Sequence, residues 1–302
     1  MSRAILGVHH GAPGFAMPEG ACDCHTHVFG PAGRFPFAAD RLYTPGDALV
    51  EDLFAHQLRL GLDRVVIVQP SCYGTDNACT VAGLRALGPA RARGVAVIAD
   101  AADEAALAAL HAAGIRGVRL NLETSGNNDP EAARRALRET AARVAPFGWH
   151  VQVFTNLGVI GALREVVETL PVPLVVDHFG RARGDGGIAQ PGFDALLGLV
   201  RDGRAYVKLS APHRASALPG YADVLPLARA LIAANPDRML WGSDWPHPGG
   251  APPGGRRSPD GIEAFRPEDD GAALTRLGQW AAGDAALLRR ILVDNPARLY
   301  GF

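Results

Sequence analysis

A chain of 302 residues, 48% of them hydrophobic, is long enough to bury a large core within one closed domain. Its 30 Lys and Arg balance 31 Asp and Glu for a net charge of -1, which leaves no basic surplus to neutralise a phosphate backbone and excludes nucleic acid as a partner. No apolar run nears the roughly 20 residues of a membrane helix, and the first residues lack a charged start followed by a sustained apolar segment, so the expectation is a soluble, cytoplasmic protein with no membrane partner.

Residues 1–20 read as an extended lead-in. Short apolar, β-branched runs then recur eight times: "ACDCHTHVF" (21–29), "RVVIVQP" (64–70), "GVAVIAD" (94–100), "GVRLNL" (117–122), "WHVQVFTN" (149–156), "PLVVDHFG" (173–180), "AYVKLSA" (205–211) and "MLWGSDWP" (239–246). Ala/Leu/Arg-rich segments with helical spacing separate them, and those at 103–114 and 129–144 each open on an Asp suited to capping. The Pro/Gly-rich stretch 247–261 reads as a long loop. Strict alternation, eight times over, predicts a single (β/α)8 TIM barrel across 21–302 with no internal boundary. The first strand is followed by no Gly-rich phosphate fingerprint, which argues against a dinucleotide-binding sheet.

In such a barrel the active site gathers at the carboxyl ends of the strands. Side chains two apart on a strand share a side, so His25 and His27 point into one space. The same alternation turns Cys22 and Cys24 away from it, as buried free thiols of a reducing compartment. Strand two runs into Gln69 and Ser71, strand four carries Arg119 and Asn121, and strand six ends in Asp177 and His178. Strand seven leads to Ser210 and Arg214, and strand eight delivers Asp244 between Trp241 and Trp245, which are expected to pack the core. His25, His27, His178 and Asp244 should converge on one pocket. Arg119 either pairs with a barrel carboxylate or, with Arg214, forks onto an anionic substrate.

The segments "DCHTHVFGP", "RFPF", "YTP", "VQPSCYGTDN", "GVRLN", "VVDHFGR", "WGSDWPHP" and "LVDNPARLYGF" together resemble the 2-pyrone-4,6-dicarboxylate lactonases of the amidohydrolase superfamily. The resemblance implies a metal-independent hydrolase that opens a carboxylated lactone in bacterial aromatic catabolism. It implies that Asp244 activates water while His25, His27 and His178 hydrogen-bond the carbonyl oxygen, and that Tyr43, Ser71, Arg119 and Arg214 bind substrate. Two positions depart from that pattern. Ser125 stands about where the family has a second Arg, and Phe154 stands in place of a Tyr. A muconolactone or sugar-acid lactone therefore fits about as well as the dicarboxylate.

Lactone hydrolysis needs a base for water and donors aimed at the developing oxyanion. Asp244 supplies the first and three imidazoles the second. The rival reading makes the same four residues ligands of Zn or Mn in a metal-dependent hydrolase or decarboxylase. Strand four offers no bridging Lys or Glu, strand five ends in Phe154, and His150 comes too early to reach the mouth, so the expectation is no cofactor. A non-catalytic binder of a carboxylated ligand would have no use for the base, and Asp244 is present.

Overall fold

The computed structural model describes residues 10–121, 129–249 and 257–302. Eight parallel strands follow one another in chain order: β1 (Cys22–Thr26), β2 (Arg64–Val68), β3 (Ala92–Ala96), β4 (Ile115–Asn121), β5 (His150–Phe154), β6 (Leu174–Val176), β7 (Ala205–Ser210) and β8 (Met239–Gly242). Helices α1 (Val50–Leu60), α2 (Ala78–Leu87), α3 (Glu104–Ala112), α4 (Pro130–Val144), α5 (Leu157–Glu168), α6 (Phe193–Arg201) and α7 (Leu225–Ala234) fill the connections, and α8 (Asp270–Trp280), α9 (Ala285–Arg289) and α10 (Asn295–Tyr300) complete the chain. This is the expected (β/α)8 barrel. Asp103 and Asp129 cap α3 and α4, accepting the N–H groups of Ala106 (2.8 Å) and Glu131 (3.0 Å). Gly11 and Gly14 of the lead-in are held by Asp269 and Thr275. Among the described residues no helix is long and apolar enough to cross a membrane.

The barrel closes between β1 and the residues just beyond β8. The Asp244 N–H donates to the His25 carbonyl (2.9 Å) and the His27 N–H to the Trp245 carbonyl (2.8 Å). Asp23 ties the same seam, its carboxylate accepting the Ser243 N–H (3.0 Å), the Ser243 hydroxyl (2.6 Å) and the His25 N–H (3.1 Å). The strands approach so closely that only glycine fits at 242, where a Cβ would stand 2.6 Å from His25 Cβ and 2.9 Å from His25 N.

Three local features depart from simple strand geometry. The register of β1 against β2 shifts between Asp23 and Thr26, and this bulge corrects the expectation for the cysteines. Cys22 and Cys24 do not turn away from the barrel interior; they pack there with Val66, Val175, Tyr206, Leu240 and Tyr300. The extra residue lets Cys24 and His25 face inward together, and all four thiols are free and buried. β3 stops short of residue 100 because the Asn77 side chain takes over the pairing, donating to the Val97 carbonyl (2.8 Å) and accepting its N–H (3.1 Å). β6 and β8 stop early because the chain enters left-handed backbone, with φ of 50° at His178, 57° at Phe179, 59° at Arg181 and 67° at Asp244. Each such residue costs on the order of 1–2 kcal/mol, a strain that clusters where function over-determines geometry.

Gly242→Ala should therefore destabilise the protein by about 2–3 kcal/mol through overpacking at the seam. Thermal unfolding would show a clear drop in Tm, with Gly261→Ala, at a position where a Cβ meets nothing within 4 Å, as the unchanged control. An unchanged Tm for Gly242→Ala would mean that the seam relaxes freely.

Candidate active site

Strands β1, β6 and β8 deliver the expected cluster. Asp244 Oδ1 faces the Nε2 atoms of His27 (3.5 Å), His25 (3.6 Å) and His178 (3.8 Å). Asp244 Oδ1 and His25 Nε2 are buried and make no hydrogen bond among the described residues. The other carboxylate oxygen accepts from Arg214 Nη2 (3.1 Å), which also donates to the Pro248 carbonyl (3.0 Å). Burial pushes the Asp244 carboxyl up, but Arg214 and His178 outweigh it and hold the group well below the usual carboxylate range.

Each imidazole is oriented through its other nitrogen. His27 Nδ1 lies 2.8 Å from the Val68 carbonyl. A carbonyl only accepts, so Nδ1 carries a proton and Nε2 is the nitrogen turned to the cluster. His178 Nδ1 lies 2.8 Å from the Ser210 hydroxyl. Two groups compete for His25 Nδ1: the Lys208 ammonium and Asp177 Oδ1, both at 3.2 Å. An ammonium only donates and a carboxylate only accepts, so they demand opposite tautomers. The geometry favours Lys208, because Asp177 Oδ1 is left without a hydrogen bond among the described residues. Lys208 is fully buried and also donates to Gln152 Oε1 (2.7 Å). Burial, then the charge of Lys208, brings His25 down to about 3, and burial holds His178 well below its ordinary value.

The expected substrate residues divide. Arg119 is committed to a barrel carboxylate, with Nε (3.0 Å) and Nη2 (2.9 Å) on Asp177 Oδ2. Arg214 reaches the cluster itself. Tyr43 is buried beside Ser71 under the Arg257 guanidinium, 3.6 Å from the ring centroid, and forms a patch with them. Ser125 lies outside the described residues. Phe154 sits edge-on to His178 (5.5 Å), with the guanidinium carbons of Arg119, Arg214 and Arg181 at 5.3, 5.8 and 6.0 Å from its ring centroid. His150 is far down its strand, packed against Tyr300 (5.3 Å). Gln69 is spent on loop carbonyls of Gly74 and Asp76, and Trp241 and Trp245 pack in the core.

The chain matches the amidohydrolase family over residues 22–302. It belongs to that family. It is 38% identical to a 2-pyrone-4,6-dicarboxylate hydrolase of Comamonas testosteroni, covering 95% of this chain and 92% of the relative. It is 37% identical to a 4-sulfomuconolactone hydrolase of Rhizobium radiobacter, with the same coverage. A crystal structure of a probable 2-pyrone-4,6-dicarboxylic acid hydrolase from Acinetobacter baumannii with citric acid bound is 27% identical with a TM-score of 0.77, covering 94% of this chain and all of that one.

Within this amidohydrolase barrel, ligand atoms of His25, His178 and Asp244 lie within 4.8 Å of one another, so the donor set fits a divalent cation, and His27 faces the same oxygen. Sequence reasoning missed Lys208, Gln152 and Arg181. The signal for the first two was present: each is a polar residue at an alternate position inside an apolar strand, "AYVKLSA" and "WHVQVF", where only a buried polar network would tolerate it.

Replacing Lys208 by Met removes a cation beside His25 and frees Asp177 to accept its Nδ1–H. Both changes favour protonation, so the His25 pKa should rise from about 3 by at least about one unit. Imidazole nitrogen shifts followed by NMR against pH would show it; an unmoved titration would mean that Lys208 does not set the state of His25.

Proposed function

We propose that this chain hydrolyses a carboxylated lactone, in bacterial aromatic or sugar-acid catabolism and as a cytoplasmic enzyme, with Asp244 as the base. The observation that carries this reading is Asp244 Oδ1, buried, free of hydrogen bonds among the described residues, and facing three imidazoles. The names of the relatives support the substrate class: one acts on a pyrone dicarboxylate and the other on a sulfomuconolactone.

In the forward step Asp244 Oδ1 takes a proton from water as the water oxygen bonds to the lactone carbonyl carbon, and the carbonyl π pair moves onto its oxygen. His25 and His178 point Nε2–H donors at that oxyanion when Lys208 and Ser210 donate to their Nδ1 atoms. His27 spends its Nδ1–H on the Val68 carbonyl and turns Nε2 to the same space. Collapse of the intermediate restores the carbonyl and breaks the ring C–O bond, and the leaving oxygen recovers the proton from Asp244. The site holds two carboxylates, Asp177 and Asp244, against Arg119, Lys208 and Arg214. Among the described residues this cationic surplus suits a substrate carboxylate, placed by Arg214 and Arg181 above Phe154. A substituent next to Phe154 cannot use the phenol that the dicarboxylate lactonases offer there, so muconolactone and aldarolactone acids belong to the candidate set.

We favour an ion-free site, because Lys208 aims a proton at His25 and Arg214 already neutralises Asp244. The second reading rests on His27, whose Nδ1–H on a carbonyl is the arrangement of a metal ligand. His25, His27, His178 and Asp244 would hold such an ion, which would polarise the carbonyl and acidify water.

Asp244→Asn should lower kcat by about 10^3-fold or more while substrate still binds; near-parental turnover would place the base elsewhere. Because the Asp244 carboxyl is depressed, its base form persists as pH falls and is lost only in acid. The expected kcat/KM is flat from about pH 5 to 8, whereas a limb with an apparent pKa near 7 would point to a histidine or an ionised bound water. Exhaustive chelation should leave kcat unchanged. Loss of activity restored by one equivalent of Zn²⁺ or Mn²⁺ would establish the metal reading.

A further inference from the structure

A second group of imidazoles surrounds a buried carboxylate outside the site at the strand ends. His56 on α1 and His247 beyond β8 place their Nε2 atoms 3.3 and 3.0 Å from Asp270 Oδ2, at the start of α8. His10 of the lead-in accepts the Asp270 backbone N–H at its Nδ1 (3.1 Å) and lies 4.9 Å from His56, centroid to centroid. One ligand atom each from His10, His56 and Asp270 fall within 4.8 Å of one another. His56, 3% exposed, has neither ring nitrogen hydrogen-bonded among the described residues, and His247, 4% exposed, lacks a partner at Nδ1.

We infer that His10, His56 and Asp270 form a second cation site, taking one Zn²⁺ or a similar first-row divalent ion, with His247 hydrogen-bonded to the Asp270 carboxylate beside it. Metal bonds of about 2.0–2.2 Å hold tetrahedral ligand atoms roughly 3.3–3.6 Å apart; His56 Nε2 and Asp270 Oδ2 already stand 3.3 Å apart, and a ring nitrogen of His10 lies within 4.8 Å of a ligand atom of each. Imidazole with a single carboxylate selects zinc-like ions over the harder magnesium and calcium. A hydrogen-bonded structural cluster would satisfy its buried nitrogens; here His56, the most enclosed imidazole, is left with two orphans, and a cation bound at Nε2 accounts for one of them. His10, His56 and Asp270 come from the lead-in, α1 and α8, segments that the Asp244 cluster does not use; His247 links the two groups, its Nε2 on Asp270 and its N–H donating to the Asp244 carbonyl (2.6 Å). Asp244 and His247 both have left-handed backbone, with φ of 67° and 66°. An ion on His10, His56 and Asp270 would pin the lead-in to α1 and α8.

The test is Zn²⁺ binding by the chelator-stripped full chain, read as zinc retained after gel filtration and as the Zn²⁺-dependent rise in Tm. The parent and Asp244→Asn, which alters only the strand-end cluster, should both retain one equivalent at this site and both gain Tm. His56→Gln should lose that equivalent and the rise. His10→Gln, a change on the half-buried lead-in that leaves the barrel core untouched, should weaken binding at least tenfold with the zinc-free Tm unchanged. Equal zinc retention and Tm gain in the parent, His56→Gln and His10→Gln would overturn the assignment. So would a parent that retains no zinc, or loss of all zinc in Asp244→Asn.

Discussion

The seam between the first and last strands is the constraint on which the site depends. β1 brings His25 and His27, and the residues after β8 bring Asp244, so the distance between acid and imidazoles is the distance across the closure. Four contacts hold it: two backbone hydrogen bonds, the Asp23 carboxylate on Ser243, and the contact that only Gly242 permits. The left-handed residue Asp244 is held by the same packing, its N–H being one of those bonds. A barrel that failed to close here would still have eight strands, but its carboxylate and histidines would not face one another.

Within that frame the electrostatics are set by pairing rather than by solvent. Arg119 and Lys208 hold Asp177, and Arg214 holds Asp244. Unpaired charges at such depth would cost several kcal/mol each, so the positions of the three cations follow from the two carboxylates. Lys208 then does more than neutralise, since its protons decide which nitrogen of His25 carries the ring hydrogen. Arg119 pairs with Asp177 through Nε and Nη2, the barrel-carboxylate contact that the sequence allowed for, while Arg214 reaches Asp244.

Much of this was legible in the sequence because alternating strands and helices leave strong periodic traces, and because imidazoles and carboxylates at the ends of apolar strands are expensive unless they work together. Strand limits were less legible, since side-chain capping by Asn77 and the left-handed turns at His178 and Asp244 depend on contacts distant in the chain. The bulge in β1 defeated the alternation rule for Cys22 and Cys24. Lys208 and Gln152 did leave a signal, as polar residues inside apolar strands, but away from the strand ends where a barrel site is sought. The group around Asp270 spans residues 10 to 270, a separation that no local pattern signals.

The most direct measurement of the central claim is hydrolysis of carboxylated lactones in ¹⁸O-labelled water, with acid release followed at constant pH and products weighed by mass spectrometry. Water activated by Asp244 and added at the carbonyl carbon should place one ¹⁸O in the newly formed carboxylate for each ring opened and each proton released. Conversion of the lactone without ¹⁸O uptake, or tight binding of every lactone with no ring opened, would contradict it.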